Sequence, residues 1–279
     1  MEILRYVAFS SDPLGGNPAG VVLDAAGVDE AAMVATAAEV GYSETAFAVP
    51  RVDGALDIRY FSPRAEVPFC GHATIATAVA HAHRHGVGEL LLHTKAGPVP
   101  VTTSVREDGS VAATLVSVAP RTEEIGDADL AELLAALRWS AADLDPALPP
   151  RVAYAGARHP VIAAATRDRL GDLAYDMAAL GALMARRDWV TVALVHRESD
   201  TVFHARNPFP PGGVVEDPAT GAAAAALGGY LRELGLVDTP AVLTVHQGVD
   251  MGRPSLLTVG VPADGASGIE VTGTAVPLG

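Results

Sequence analysis

The sequence predicts an α+β protein made of two pseudo-equivalent lobes. Short stretches that alternate apolar and polar residues are separated by Gly, Pro and Asp turns, a pattern typical of β-strands. A smaller number of alanine-rich stretches begin after turn residues, which indicates a few helices. A strand, a proline-containing loop and a small-residue helix start also occur twice, around Cys70 and around Asp217, 147 residues apart. A spacing close to half the chain is what a duplicated lobe produces.

The first half opens with a strand-like alternation over residues 1–9. Asp29 and Gly41 flank an alanine-rich stretch in the positions of a helix cap and a helix stop, so we expect a helix over 29–40. A second helix is expected over 73–83, after a Gly-His turn. Further strands are predicted at Leu56–Phe61, 90–94, 99–105 and 111–115.

Residues 120–150 are acidic, alanine-rich and bounded by prolines, which indicates the crossing between the lobes, with one helix at 129–137. We therefore expect an N-terminal lobe over 1–119 and a C-terminal lobe over 120–264. An alternative for the C-terminal end, about 265–279, is that it returns to the first lobe. The second lobe is predicted to hold a helix at 220–234 and strands near 152, 161, 190–196, 202–205, 242–246, 256–261 and 269–276.

Composition excludes several classes of function. The net charge of −14, from 33 acidic and 19 basic residues, disfavours nucleic acid and anionic membranes as partners. Cys70 is the single cysteine, so neither an intramolecular disulfide nor a multi-thiolate metal site is available within one chain. No stretch reaches the roughly 18 apolar residues of a membrane helix. Residues 1–9 lack the features of a signal peptide, and we expect a cytoplasmic protein.

Two loops have the composition of anion-binding helix starts. Small residues around Gly71 and Gly221 let a ligand approach the first-turn N–H groups, where the helix dipole favours negative charge. Each loop is therefore a candidate carboxylate site. The alternative is that both glycines only permit close helix packing, since neither loop matches a phosphate-binding or dinucleotide-binding signature.

Five sequence blocks, in order along nearly the whole chain, resemble the PhzF family of phenazine-biosynthesis isomerases. The blocks lie at residues 12–21, 43–47, 61–74, 217–221 and 246–255. The resemblance implies the diaminopimelate-epimerase-like fold, in which each lobe wraps strands around a central helix and the active site lies in the cleft between lobes. It also implies a homodimer and a small carboxylate-bearing substrate, with no metal, nucleotide or other cofactor.

The same resemblance assigns roles to individual residues. Glu44 is the expected base and acid, assisted by His72 and Asp217. A carboxyl group screened from water has a raised pKa, which suits proton shuttling near neutrality. The expected substrate contacts are Asn17, Ser43, Cys70, Gly71, Thr220, Gly221 and Ala222.

Each assignment has a simpler structural alternative. Glu44 could be an exposed turn residue, His72 a polar helix cap, and Asp217 part of a turn that leads into a helix. Cys70 could be a passive core residue, and Asn17 could cap the turn in which we expect it. His81, His83 and His85 have a spacing that suits the C-terminal helix dipole better than one metal ion, and Gln247 and Arg253 are expected to be structural anchors.

The chain departs from the family pattern at Ala222, where many members have a serine, so the substrate could differ from theirs. It is also not a two-cysteine epimerase, because Asp217 stands in the second loop. Two alternatives to an isomerase therefore stay open. One is a binding protein without turnover, and the other is an enolate-forming enzyme that cleaves C–C or C–N bonds.

Overall fold

The computed structural model describes residues 1–278, which form seventeen strands and six α-helices. The helices are α1 (Glu30–Val40), α2 (Gly71–His85), α3 (Asp127–Leu137), α4 (Arg167–Gly171), α5 (Met177–Arg187) and α6 (Gly221–Glu233). The first eight strands are β1 (Leu4–Ala8), β2 (Asn17–Val22), β3 (Thr45–Pro50), β4 (Leu56–Phe61), β5 (Glu66–Val67), β6 (Glu89–Thr94), β7 (Gly97–Val105) and β8 (Val111–Val116). The others are β9 (Arg121–Glu124), β10 (Arg151–Tyr154), β11 (Arg158–Ala163), β12 (Ala193–Arg197), β13 (Val202–Phe209), β14 (Val214–Asp217), β15 (Ala241–Gln247), β16 (Ser255–Val261) and β17 (Glu270–Pro277).

The chain divides into two compact units. The first unit consists of Met1–Val116 and the C-terminal segment from Thr272, and the second consists of Ser117–Val271. The limits that the sequence predicts for the two lobes remain predictions. Gly279 lies outside the described residues. Within residues 1–278, every helix is too short or too polar to cross a membrane.

The first unit wraps its strands around α2. The strands pair in the order β1, β2, β3, β4, β6, β7, β8 and β17, and β17 returns to β1, so the ladder closes on itself. α2 contacts β1, β2, β3, β7 and β8 and is buried over most of its length. Residues on every face of it are buried from His72 to Ala80, as in a helix that is apolar all round and therefore lies inside a core.

The second unit repeats this pattern of strand pairing around α6. β10–β11 is antiparallel, β11–β12 parallel, β12–β13 antiparallel, β13–β15 parallel and β15–β16 antiparallel. The corresponding pairs of the first unit have the same directions in the same order. α6 contacts β9, β10, β11 and β16. The predicted α+β fold with two pseudo-equivalent halves is confirmed.

Close packing explains one glycine of α6. A Cβ atom at Gly229 would lie 2.3 Å from the Cβ of Pro120, well inside contact distance. Gly229 therefore lets the core helix approach the segment that begins the second unit.

The internal repeat has a different register from the one expected. Arg59 of β4 lies opposite Phe47, and Arg206 of β13 lies opposite Leu194, so the two strand pairs are 147 residues apart. At the next strand and at the central helix the offset is 150 residues, because Glu66 and Glu216 are equivalent and Gly71 begins α2 where Gly221 begins α6. The hairpin is three residues longer in the second unit, where Pro208 pairs with Glu216, than in the first, where Phe61 pairs with Glu66, and a β-bulge follows Pro208. The counterpart of Cys70 is therefore Thr220, and the expected pairing of Cys70 with Asp217 is wrong.

Three local expectations are also corrected. Asn17 is the first residue of β2 and pairs with Ala8, so it lies in a strand rather than a turn. The strand expected at 190–196 begins only at Ala193. α5 was not predicted, although Asp176 caps it through a hydrogen bond from the Ala179 N–H. Its buried residues, at positions 180, 183 and 184, have the spacing of one helix face.

Candidate active site

Glu44 immediately precedes β3, and its side chain is only 14 % exposed. The four residues that follow it are buried in the parallel β2–β3 pair. The N–H of Gly20 donates to the Glu44 carbonyl at 3.2 Å, which fixes the backbone at this position. The alternative of an exposed turn glutamate is therefore wrong.

His72 lies in the first turn of α2, and three polar side chains contact its buried ring. Asn17 Nδ2 is 3.2 Å from Nδ1, Ser43 Oγ is 3.3 Å from Nε2, and Glu44 Oε2 is 3.4 Å from Nε2. An amide Nδ2 only donates, so Nδ1 accepts and Nε2 carries the proton of the neutral ring. That proton points toward Ser43 and Glu44.

Cys70 occupies the N-cap position of α2, which contradicts the interpretation of His72 as the cap. Its side chain makes no capping hydrogen bond, and Sγ lies 3.4 Å from Nδ1 and 3.8 Å from Nε2 of His72. Cys70 is buried, as expected for a core cysteine, but it also belongs to the polar group around His72.

A buried hydroxyl chain supports the start of α2. Thr74 Oγ1 donates to the Cys70 carbonyl at 2.7 Å, and the Tyr60 hydroxyl donates to Thr74 Oγ1 at 2.6 Å. Burial raises the pKa of Tyr60, so its hydroxyl stays protonated and remains a donor. The sequence predicted no role for either residue, although Thr74 ends the PhzF-like block at 61–74 and Tyr60 immediately precedes it.

The second unit groups the remaining predicted residues at the start of α6. Asp217 ends β14, and its Oδ2 accepts a hydrogen bond of 2.6 Å from Thr220 Oγ1. Gln247 Nε2 donates to the Asp217 carbonyl at 2.7 Å and to Thr220 Oγ1 at 3.0 Å, while its Oε1 accepts from the Thr220 N–H at 3.1 Å. Gln247 therefore anchors the loop, and Gly221 and Ala222 form the first turn of α6.

The two central helices share an uncapped N-terminus. Asp29 and Asp176 cap α1 and α5 with their carboxylates, whereas neither Cys70 nor Thr220 caps its helix. The Thr220 hydroxyl is instead bonded to Asp217. First-turn N–H groups without a capping side chain are suited to an anionic ligand. Both α2 and α6 have such N–H groups at their N-termini.

An arginine–glutamate ion pair precedes each of these helices. Arg59 of β4 donates to both carboxylate oxygens of Glu66, at 2.8 and 2.9 Å, and these hydrogen bonds lower the pKa of Glu66 to about 2. Arg206 of β13 makes the same two-point contact with Glu216, through Nε at 2.9 Å and through Nη2. Each pair ties a long strand to the short strand that leads into the central helix.

One group of described residues could also hold a metal ion. Glu44, Cys70 and His72 each offer a ligand atom, and these atoms lie within 4.8 Å of one another. His81, His83 and His85 form no such group in the part of the chain that the structure describes. Two of those histidines, His83 and His85, lie in the last turn of α2, the place expected from the helix dipole.

The chain is similar to known proteins over nearly its whole length. The family model described as phenazine biosynthesis-like protein, PhzC-PhzF, matches residues 6–279. The chain is 34% identical to trans-2,3-dihydro-3-hydroxyanthranilate isomerase of Pseudomonas fluorescens, with 98% of this chain and 95% of the relative covered. It is 31% identical to the uncharacterized isomerase YfhB of Bacillus subtilis, over 99% of this chain and 96% of the relative.

Solved structures agree with the sequence relatives. The PhzF-family phenazine biosynthesis protein of Bacillus anthracis has a TM-score of 0.89 and 28% identity, with 100% of this chain and 98% of that chain covered. A hydroxyproline epimerase of Agrobacterium vitis shares the fold at a TM-score of 0.65 and 14% identity, with 99% and 91% covered. The relatives that cover nearly the full length are named isomerases, and the protein is an enzyme of that class. The chain belongs to the PhzC-PhzF family of phenazine biosynthesis-like proteins.

Proposed function

We propose that this isomerase moves a proton within a small, conjugated, carboxylate-bearing substrate, with Glu44 as both base and acid and without a cofactor. The convergence of Glu44, Ser43 and Asn17 on the buried ring of His72 carries the proposal. A carboxylate that contacts an imidazole N–H in a mostly buried site can take up a proton and return it. Isomerisation by proton transfer needs a group of this kind.

The proposed reaction balances without electron transfer to or from the enzyme. Glu44 removes a proton from one carbon, and the electrons of that C–H bond move into the conjugated system of the substrate. The proton, or one exchanged with water, is then added to another carbon of the same system. One C–H bond breaks and one forms, so no redox cofactor is required. The His72 Nε2 atom lies 3.4 Å from Glu44 Oε2 and so orients the carboxylate that would carry the proton.

The start of α2 supports a substrate that carries a carboxylate. The helix dipole and the N–H groups around Gly71 favour an anion, and Cys70 does not cap them. In the second unit, α6 offers the same feature at Gly221 and Ala222, and Asp217 is the proposed assisting group there. The first compound to test is trans-2,3-dihydro-3-hydroxyanthranilate, which the name of the Pseudomonas fluorescens relative specifies as a substrate.

The test is solvent-deuterium incorporation followed by NMR. The wild-type chain in D₂O should convert the compound to an isomer that carries deuterium at the newly protonated carbon, and treatment with EDTA should not reduce the rate. Glu44→Gln should lower the rate about 10³-fold, within the range of general acid–base contributions. Glu39→Gln, an exposed change in the same unit, is the matched control. Retained exchange in Glu44→Gln would exclude Glu44 as the base, and cleaved products would assign C–C or C–N bond breakage instead.

A further inference from the structure

Three side chains of different ligand chemistry meet beside the start of α2. Glu44 offers a carboxylate oxygen, Cys70 a sulfur and His72 an imidazole nitrogen, all within 4.8 Å of one another. Cys70 and His72 are 8% and 6% exposed, and the Glu44 side chain is 14% exposed. Strand pairing fixes the backbone of Glu44, and the helix fixes that of the other two. The backbone that carries the three side chains is therefore fixed before any ligand binds.

Two of the distances between these side chains are close to those around a tetrahedral Zn²⁺ ion. Zinc lies about 2.3 Å from a thiolate, about 2.0 Å from an imidazole nitrogen and about 2.1 Å from a carboxylate oxygen, so tetrahedral ligands are separated by about 3.4 to 3.6 Å. His72 Nε2 is 3.4 Å from Glu44 Oε2 and 3.8 Å from Cys70 Sγ. Cys70 Sγ also lies 3.4 Å from Nδ1, so the Cys70 side chain must turn, by more than about 1 Å at the sulfur, to face a metal held on Nε2.

The chemistry of the donors selects the kind of metal. A thiolate with an imidazole suits Zn²⁺ or Co²⁺, whereas Mg²⁺ and Ca²⁺ prefer oxygen ligands alone. The N-terminus of a helix favours the thiolate form of a cysteine. Asn17 contacts His72 Nδ1 from the other side of the ring, and a flipped amide would accept a proton there.

We propose that Glu44, Cys70 and His72 form an inhibitory Zn²⁺ site with three protein ligands and an open fourth position. On binding, the S–H bond of Cys70 breaks and its proton passes to the buffer. The ring proton of His72 moves from Nε2 to Nδ1, and the metal takes the freed Nε2 lone pair and one oxygen of Glu44. Metal binding stands on the geometry alone. Inhibition rests also on the proposed function, because the ion occupies the carboxylate that would move the proton.

Cobalt provides a direct test that needs no substrate. A thiolate bound to Co²⁺ produces a charge-transfer absorption band, and Cys70 is the single cysteine of the chain, so the band reports this residue alone. Metal-free wild-type chain titrated with Co²⁺ should give the band at one equivalent, and Zn²⁺ should abolish it by displacement. Absence of the band, or a band that Zn²⁺ does not displace, would overturn the proposal.

Variants distinguish metal binding at this site from metal binding by other histidines. Cys70→Ala should lose the band, and Glu44→Gln should weaken Zn²⁺ binding more than about 100-fold in calorimetry, since loss of even a hydrogen-bond partner of a ligand costs 10–100-fold. His85→Ala is the control, because the His81 and His85 rings lie 4.5 Å apart and form the main rival pair on the same helix. Circular dichroism checks that wild type and Cys70→Ala are both folded. Equal Zn²⁺ affinity of the two folded proteins would refute the site.

The inhibition is measured with the deuterium-exchange reaction. Zn²⁺ should abolish exchange by the wild-type chain, with half-inhibition at the dissociation constant found by calorimetry, and EDTA should restore it. Binding without inhibition would overturn the inhibitory role. A wrong proposed function would have a different result. The metal-free chain would show no deuterium exchange, while the same chain would still give the Co²⁺ band on titration.

Discussion

Residues 68–70, before α2, and residues 218–220, before α6, occupy equivalent places in the two units, each between a short strand and the central helix. The side chains at equivalent positions differ in kind. Cys70 and His72 correspond to Thr220 and Ala222 at the offset of 150 residues, and Glu44 corresponds to Thr191 at the offset of 147. The proposed base Glu44 and the proposed ligands Cys70 and His72 therefore have two threonines and an alanine as their counterparts in the second unit. The repeat preserves the backbone frame, while the side chains at these three positions differ.

The ion pairs before the two helices differ in burial. The Arg59 side chain is 37% exposed and that of Glu66 is 10% exposed, whereas Arg206 and Glu216 are 9% and 5% exposed. Arg206 also donates to the Gly171 carbonyl at 2.7 Å, and Lys95 shares the carboxylate of Glu66. A buried charge that loses its partner is costly, and an exposed one is solvated by water. The second unit thus depends on its ion pair for stability more than the first does.

The largest effect is expected from Arg206→Met. This change leaves the Glu216 carboxylate buried without its cation and should lower the free energy of unfolding by about 3–5 kcal/mol in urea denaturation. Arg206→Met combined with Glu216→Gln, which removes the buried charge, should recover a large part of that loss. A loss below about 1 kcal/mol for the single variant would show that the two ion pairs do not differ as proposed.

Acid should destabilise the second unit through His159. Burial lowers the pKa of His159 to about 4 from 6.5, and its Nδ1–H donates to Thr191 Oγ1 at 2.9 Å. The unfolded chain takes up a proton near pH 6.5 and the folded unit only near pH 4. Stability is therefore retained above pH 6.5, falls between pH 6.5 and 4, and loses about 3 kcal/mol in total.

Urea denaturation at a series of pH values measures this loss. His159→Gln should flatten the dependence between pH 6.5 and 4, since Gln does not titrate there. His85→Gln, at an exposed position on α2, should leave the dependence as in the wild type. An unchanged slope in His159→Gln would assign the acid sensitivity to other groups.

His72→Phe should lower kcat about 100-fold, or about 2.7 kcal/mol, because the ring volume remains while both nitrogens are lost. Asn17, Ser43 and Glu44 then lose their shared partner. Deuterium exchange measures the rate, and His85→Phe is the control at the exposed end of the same helix. A His72→Phe variant with wild-type kcat would remove the proposed asymmetry between the units.

The smallest effect is expected from Arg59→Met. Lys95 still pairs with Glu66 at 2.7 Å, and the site is partly solvated, so the loss should be at most about 1 kcal/mol in the same urea assay. A loss as large as that of Arg206→Met would mean that burial does not distinguish the two ion pairs.

Much of the fold and of the candidate site could be predicted from local signals. The cap and stop of α1, at Asp29 and Gly41, and the alternation of β4 are properties of neighbouring residues, and the structure has both elements. Glu44 and His72 were identified through the resemblance of their sequence blocks to a family. The ion pair of Arg206 with Glu216 was not, because an arginine and a glutamate ten residues apart have no distinctive local pattern.

The sequence by itself determined that the chain is α+β, that it repeats, and which family it resembles, because alternation, helix caps and ordered motifs depend on residues close together in the chain. Only the tertiary structure decided which side chains meet. Asn17 and His72 are 55 residues apart, and their contact depends on the register of β2 beside α2. A shift of one residue in a strand turns every side chain to the other face. The meeting of Glu44 with Cys70 and His72 is therefore a consequence of packing, because Glu44 lies 26 residues before Cys70 in the chain.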